Sequence, residues 1–228
     1  GAIVLTGIGN GGGAGGSDHY GVHLNGATVQ SHGTGANAAT VTLNGTGGTG
    51  TNFDNAVGTR GYGRGAYIGA STSILSVLGD IQITGTGADA GGQNIGIYSA
   101  GTIESTGSGA NAAKVTLTGA GGNGAGNNYG VHLTGTTRSA VGDVTITGTG
   151  GNGGTSNHGV IVNSSGRVIS TGAGADAAKL FLNGTGGAGV GTNQGIYMTS
   201  NGRVTSTAGA ISLTGVGQGS GTGSHGIN

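Results

Sequence analysis

The chain has 228 residues, of which 61 are glycine and only 6% are charged; seven basic and seven acidic side chains cancel, and proline, cysteine and tryptophan are absent. No basic stripe exists to neutralise phosphates, so nucleic acid is not an expected partner, and the lack of cysteine excludes a disulfide framework or thiolate metal site. There is no run of about 18 apolar residues to form a membrane-spanning helix, and glycine without a three-residue period or proline is not collagen.

The first predicted element is a five-residue phrase: aliphatic, any residue, aliphatic, Thr or Asn, then Gly. It is written seven times, at Ile3–Gly7, Val41–Gly45, Ile81–Gly85, Val115–Gly119, Val144–Gly148, Leu180–Gly184 and Ile211–Gly215. A phrase recurring every few tens of residues marks a stacked repeat protein, and its regular aliphatics oppose the disorder that the glycine content alone suggests. Alternation turns the first and third residues of each copy inward. All of these are aliphatic, from Ile3 and Leu5 to Ile211 and Leu213, whereas the middle position is mixed (Val, Thr, Gln, Thr, Thr, Phe, Ser).

A glycine-rich loop leads to the second predicted strand, Gly-Val-His-Leu at 21–24, with later copies starting at Gly65, Gly96, Gly130, Gly159 and Gly195 and a short one at Gly226. Its middle position is His23, Tyr67, Tyr98, His132, Ile161 and Tyr197, so an outward column rich in aromatic rings is expected. In the second unit the preceding loop lengthens to 46–64 and carries Phe53, Asp54, Arg60 and Tyr62. The third predicted strand is clearest at Val29–Ser31, Ile103–Ser105, Val168–Ser170 and Val204–Ser206. It implies an inward serine ladder, with Ser76 and Ser139 filling the serine position and Arg138 making its repeat irregular. A long corner then follows in units one, three and five (33–39, 107–113, 172–178) and a short one in units two, four and six (77–80, 140–143, 207–210).

Three short strands and three corners per unit match one coil of a parallel β-helix, with Gly and Asn expected to supply positive φ at corners. An isolated coil cannot offset its own ordering entropy, so stability must come from stacking. The expected fold is therefore all-β, a parallel β-solenoid of six to seven coils with three short strands each and a two-coil super-repeat. Residues 1–228 are read as one segment of a longer repeat protein, in units 2–39, 40–79, 80–113, 114–142, 143–178, 179–209 and an incomplete 210–228.

The stretches Val115–Leu133 (VTLTGAGGNGAGNNYGVHL) and Gly101–Gly119 (GTIESTGSGANAAKVTLTG) resemble the repeat regions of large bacterial surface and secreted proteins of the filamentous-haemagglutinin-like class. That resemblance implies a right-handed winding, export to the cell surface or medium, and a role as stalk, fibre or adhesin.

Chemistry is sparse. The carboxylates Asp18, Asp54, Asp80, Asp89, Glu104, Asp143 and Asp176 are scattered; Asp80 and Asp143 share a repeat position about 10 Å apart along the axis, where a turn role is favoured over a hydrolytic pair. His19, His158 and His225 stand ahead of the second strand and His23 and His132 within it, spaced by whole coils, too far for one metal ion. The glycine runs at 45–52 and 119–127 lack the Asp of calcium β-rolls. Asn44-Gly45-Thr46, Asn163-Ser164-Ser165 and Asn183-Gly184-Thr185 fit the glycan-acceptor pattern and are read as turns. No catalytic, cofactor or metal residue is assigned, and no enzyme is expected.

Two surfaces remain. The column His23, Tyr67, Tyr98, His132, Tyr197 is a candidate for stacking on sugar rings, against cross-strand stacking alone. The outward Thr6, Thr84, Thr118, Thr147 and Thr214 suggest an ice-binding face, interrupted by Asn44 and Asn183 and flanked by Val4, Gln82 and Phe181 where a second matching rank would be needed. The expectation is a structural, non-catalytic extracellular segment that self-associates laterally or end to end, the competing reading being a module for surface glycans or ice.

Overall fold

The computed structural model describes residues 1–10, 18–49, 62–89 and 92–228. The core of the long second loop, with Phe53, Asp54 and Arg60, lies outside the described residues. The described part is all-β and contains three parallel sheets. The first has seven strands: Ala2–Ile8, Thr40–Thr46, Ile81–Thr86, Val115–Ala120, Val144–Thr149, Leu180–Thr185 and Ile211–Val216. The second has six, Val22–Leu24, Ala66–Ile68, Ile97–Ser99, Val131–Leu133, Val160–Val162 and Ile196–Met198. The third, also of six, comprises Thr28–Ser31, Ser73–Ser76, Thr102–Ser105, Thr136–Ser139, Arg167–Ser170 and Arg203–Ser206.

In each sheet every strand pairs with its equivalent one coil away. Leu43 is in register with Ile83, Ile83 with Leu117, and Leu117 with Ile146. The inward aliphatics form one continuous core, in which Val41, Leu43, Ile68, Ile74, Val115, Val131, Val168 and Leu180 are wholly buried. Three strands per coil and parallel in-register stacking are therefore the architecture, a β-solenoid of six to seven coils. Arg138 does not disturb its coil: Thr137 takes the inward site, 1% exposed, and Arg138 points outward to Glu104 one coil away at 2.8 Å.

The repeated glycines serve a different purpose from the one expected. Positive φ occurs, among the described residues, at Gly26, Gly153, Gly154, Gly219 and Gly223 and at Ser164, Ser165, Ser200 and Asn201. The glycine that closes the first phrase is an extended strand residue instead. A Cβ at Gly119 would sit 2.1 Å from the carbonyl oxygen of Gly130, which opens the second strand of the same coil. First and second sheets thus pinch together backbone to backbone, and any side chain there would occupy carbonyl space. The strand runs on past this glycine, so Asn44 and Asn183 are mid-strand residues rather than turn residues. Asn163, by contrast, does precede a turn, through Ser164 and Ser165 at φ 50° and 75°.

The two-coil alternation holds. Each long corner closes on a backbone bond, Ala38 N–H to Gly35, Ala112 to Gly109 and Ala177 to Gly174. The short corner of the next coil lies against its end: a Cβ at Gly79, Gly142 or Gly209 would be 1.9 Å from the carbonyl of Ala39, Ala113 or Ala178.

The interior is not wholly apolar. The serine ladder is present as Ser31, Ser76, Ser105, Ser139, Ser170 and Ser206 in register. Ser76 Oγ donates to the Gly79 carbonyl. A second ladder, of Asn94, Asn128, Asn157 and Asn193, is fully buried at the ends of four successive glycine-rich loops. Side-chain amides donate to the next oxygen at 3.0, 2.8 and 3.0 Å, and Asn128 also bonds the loop at Gly124 and Gly126. Asn128 and Asn193 also satisfy loop carbonyls that would otherwise be buried without partners.

Candidate functional site

The outer face of the second sheet carries the expected rings. His23 is in register with Tyr67, Tyr67 with Tyr98, Tyr98 with His132, His132 with Ile161 and Ile161 with Tyr197. Tyr67 and Tyr98 stack at 5.3 Å with planes 7° apart, while His23 and His132 meet their tyrosine neighbours edge-on at 4.9 and 5.2 Å. Ile161, buried, breaks the column, and the ring path goes around it. His132 touches Tyr129, Tyr129 stacks on His158 at 5.3 Å, and His158 leans on Tyr197 at 5.1 Å. At the other end Tyr20 stacks on Tyr67 at 5.1 Å. The structure therefore joins all five expected residues into one spine, through three rings not expected in it: Tyr20, Tyr129 and His158.

Those three precede the strand-opening glycine. Strict alternation would send them to the other face, but the chain is still turning there, and the turn lays their side chains beside the column. The equivalent position in the second unit is Arg64. Its guanidinium carbon lies 4.4 to 5.8 Å from the ring centres of Tyr98, Tyr62, Tyr67 and Tyr20, and the side chain is 8% exposed. Guanidinium over tyrosine faces is a favourable cation–π arrangement, and arginine cannot lose its charge to relieve burial.

Burial sets the electrostatics of the spine. It pushes the Tyr129 hydroxyl up to about 12 and that of Tyr20 likewise, Arg64 opposing the rise at Tyr20. His158 is lowered to about 4, burial being the main cause. Its Nδ1 accepts the backbone N–H of Gln194 at 3.1 Å, as a neutral ring can. His132 is lowered for the same reason, with Nε2 against Asn163 Oδ1 at 2.9 Å. Tyr20, Tyr67 and Tyr98 stack on one another, which leaves less open ring face there for a sugar to cover.

The carboxylates are occupied separately. Asp80 Oδ1 accepts the backbone N–H of Lys114 at 2.9 Å and Asp143 Oδ1 that of Lys179 at 2.8 Å, each tying one coil's corner to the next. Asp89 accepts from Asn123, and Glu104 pairs with Arg138. Among the described residues no three His, Asp or Glu side chains converge as metal ligands.

The first sheet's outer face holds a feature not expected from the sequence. Thr6, Asn44, Thr84, Thr118, Thr147, Asn183 and Thr214 do form one rank, and beyond the glycine lies another: Ile8, Thr46, Thr86, Ala120, Thr149, Thr185 and Val216. Two neighbouring threonine-rich ranks, neither holding a charged residue, therefore run along this face. Set against known proteins, the chain matches no family model, no curated protein and no solved structure.

Proposed function

We propose that this chain is a structural, non-catalytic segment of an extracellular fibre or adhesin, serving as a stalk or self-assembling filament at a bacterial surface. The observation that carries this reading is that the first sheet's ladder runs in register through all seven of its strands. Backbone hydrogen bonds in all three sheets then lie along the solenoid axis, the direction in which a stalk is loaded. Side chains repeat the same device: asparagine bonds asparagine from coil to coil in the interior, and rings stack on rings along the outer face of the second sheet. The side chains with chemical potential are used in holding coils together, Asp80 and Asp143 on backbone amides and Arg64 among tyrosines. The bacterial and extracellular setting is what the repeat resemblance implies.

Single-molecule pulling tests the reading. A stalk of this build resists extension along its axis and then unravels coil by coil in a sawtooth, while immunogold labelling of the source cell places the chain outside it. Smooth extension at low force, or label confined to the cell interior, would overturn it. Glycan recognition is the competing reading, and a glycan array reports on it directly.

A further inference from the structure

On the outer face of the first sheet, one position before the inward aliphatic, stand Asp80, Lys114, Asp143 and Lys179 in four successive coils. Their carbonyls continue the ladder, accepting from Ile81 (Lys114), Val115 (Asp143) and Val144 (Lys179) at 2.8 to 2.9 Å. The alternation of sign follows from the alternation of corners, since Asp closes a short corner and Lys a long one. Among the described residues none of the four is in an ion pair; that between Arg138 and Glu104 is on another sheet. Each Asp spends one oxygen on a backbone amide, and both lysines are exposed. The remainder of the face, from this column to the threonine ranks, carries no charge.

We infer that this face binds the same face of a second copy, antiparallel, about a twofold axis passing between Lys114 and Asp143. This rests on the structural reading above and names the surface through which such a segment self-associates. The argument is one of symmetry. Read along the axis, the column is minus, plus, minus, plus; reversed, it is plus, minus, plus, minus. A perpendicular twofold axis at its centre sets Lys114 opposite Asp143 of the second copy and Asp80 opposite Lys179, each pair occurring twice. The same operation lays Thr118 against Thr147 and Thr116 against Thr145, uncharged on uncharged. A twofold axis along the solenoid would bring the charges to the opposite edge of the face, where no partners stand. Isologous twofold pairing is the commonest assembly of identical chains, and complementary charge fixes register and speeds encounter.

The area suffices for a weak specific dimer. The axis pairs six of the seven strands, and six strands at about 4.8 Å with an outward span of about 20 Å along each present roughly 600 Å² per copy. The pair buries about 1,200 Å², the lower end of specific interfaces.

Sedimentation equilibrium of the 228-residue chain tests the pairing. The expected result is a concentration-dependent dimer, weakened at least tenfold by molar salt. Lys114→Glu/Lys179→Glu makes the column all negative and Asp80→Lys/Asp143→Lys makes it all positive; each alone is monomeric, and an equimolar mixture recovers the dimer. The aspartates also hold backbone amides, so melting curves accompany that variant. Should it not fold, Thr147→Arg at the centre of the face supplies the second disruption and must also give monomer. A monomer at all concentrations, or a dimer indifferent to both Lys114→Glu/Lys179→Glu and Thr147→Arg, overturns the pairing. A monomer that shapes growing ice crystals would also overturn it and assign the threonine ranks to ordered water. Either failure leaves the stalk reading standing, because axial resistance to pulling does not depend on this face.

Discussion

Asn128 donates its side-chain amide to Asn157 Oδ1 at 2.8 Å, one coil further along, with neither side chain exposed to solvent. Asn128 receives in turn from Asn94 at 3.0 Å and also bonds the carbonyls of Gly124 and Gly126. One side chain thus closes its own loop and connects two neighbours. Removing it in Asn128→Ala leaves several buried groups unpaired, at about 1–3 kcal/mol each. The expected loss is about 3–5 kcal/mol by urea denaturation. Asn128→Asp is expected to be no better, since it buries a charge where an amide donated.

The glycines separate into two classes that alanine scanning will resolve. In Gly119→Ala the new methyl falls 2.1 Å from the Gly130 carbonyl oxygen. The sheets must part to admit it, and a loss of at least about 3 kcal/mol is expected, given that ordinary overpacking already costs about 1–3. Gly109, in a long corner, has nothing within 4 Å of its missing Cβ and lacks a left-handed φ. Gly109→Ala should change stability by less than about 0.5 kcal/mol. Thermal melts of the two variants side by side provide the check.

Acid should weaken the solenoid through His158. Its folded-state value, about 4, lies below the ordinary histidine value of 6.5. Between these limits the unfolded chain binds a proton that the folded chain refuses, so stability falls as pH drops from about 6.5 to about 4 and rises again with pH. His132, lowered in the same direction, adds to the trend. The contribution of His158 is on the order of 2–3 kcal/mol. Comparing wild type with His158→Gln in denaturant at pH 7 and pH 4.5 isolates it: the variant should lose less stability over that interval.

The two described arginine contacts should behave differently. Arg138 and Glu104 are bonded at 2.8 Å, but the arginine side chain is 47% exposed, and Arg138→Thr is expected to cost less than about 1 kcal/mol. Arg64→Ala removes a buried guanidinium and its stem from four tyrosines, for a loss of about 2 kcal/mol or more. Arg64→Lys should recover only part of it, since a compact ammonium does not spread over several rings. Melting temperatures rank the three variants.

The coil plan was legible because burial in a solenoid is one-sided. Ile3 and Leu5, Val41 and Leu43 and their equivalents alternate with mixed residues, and nothing but a strand with one inward face demands that. The serine position was legible for the same reason. What escaped notice lies where alternation stops being informative. The glycine after Thr84 or Thr147 reads as the strand's end, which hides the outward Thr86 and Thr149 that follow it. Tyr129 and His158 sit in a turn, where a count of two no longer says which way a side chain points. The buried asparagines give no such signal, because a polar residue in a glycine-rich loop is ordinarily solvated. Their signal was positional: Asn94, Asn128, Asn157 and Asn193 each stand two residues before the glycine that opens the second strand. A polar residue recurring at a fixed distance from the core is a candidate for an interior ladder, whatever its loop's composition.

The alternating corners have a bearing on how such a chain can change length. Gly79 fits under the end of a long corner because its own corner is short, and Gly142 and Gly209 repeat the fit two and four coils on. Excising one coil would bring two long corners, or two short ones, into contact and leave a carbonyl facing the wrong neighbour. Coils lost or gained two at a time preserve the phase. Duplication and recombination within genes for such chains should therefore be tolerated in even steps, with odd ones selected against unless a corner is rebuilt at the junction.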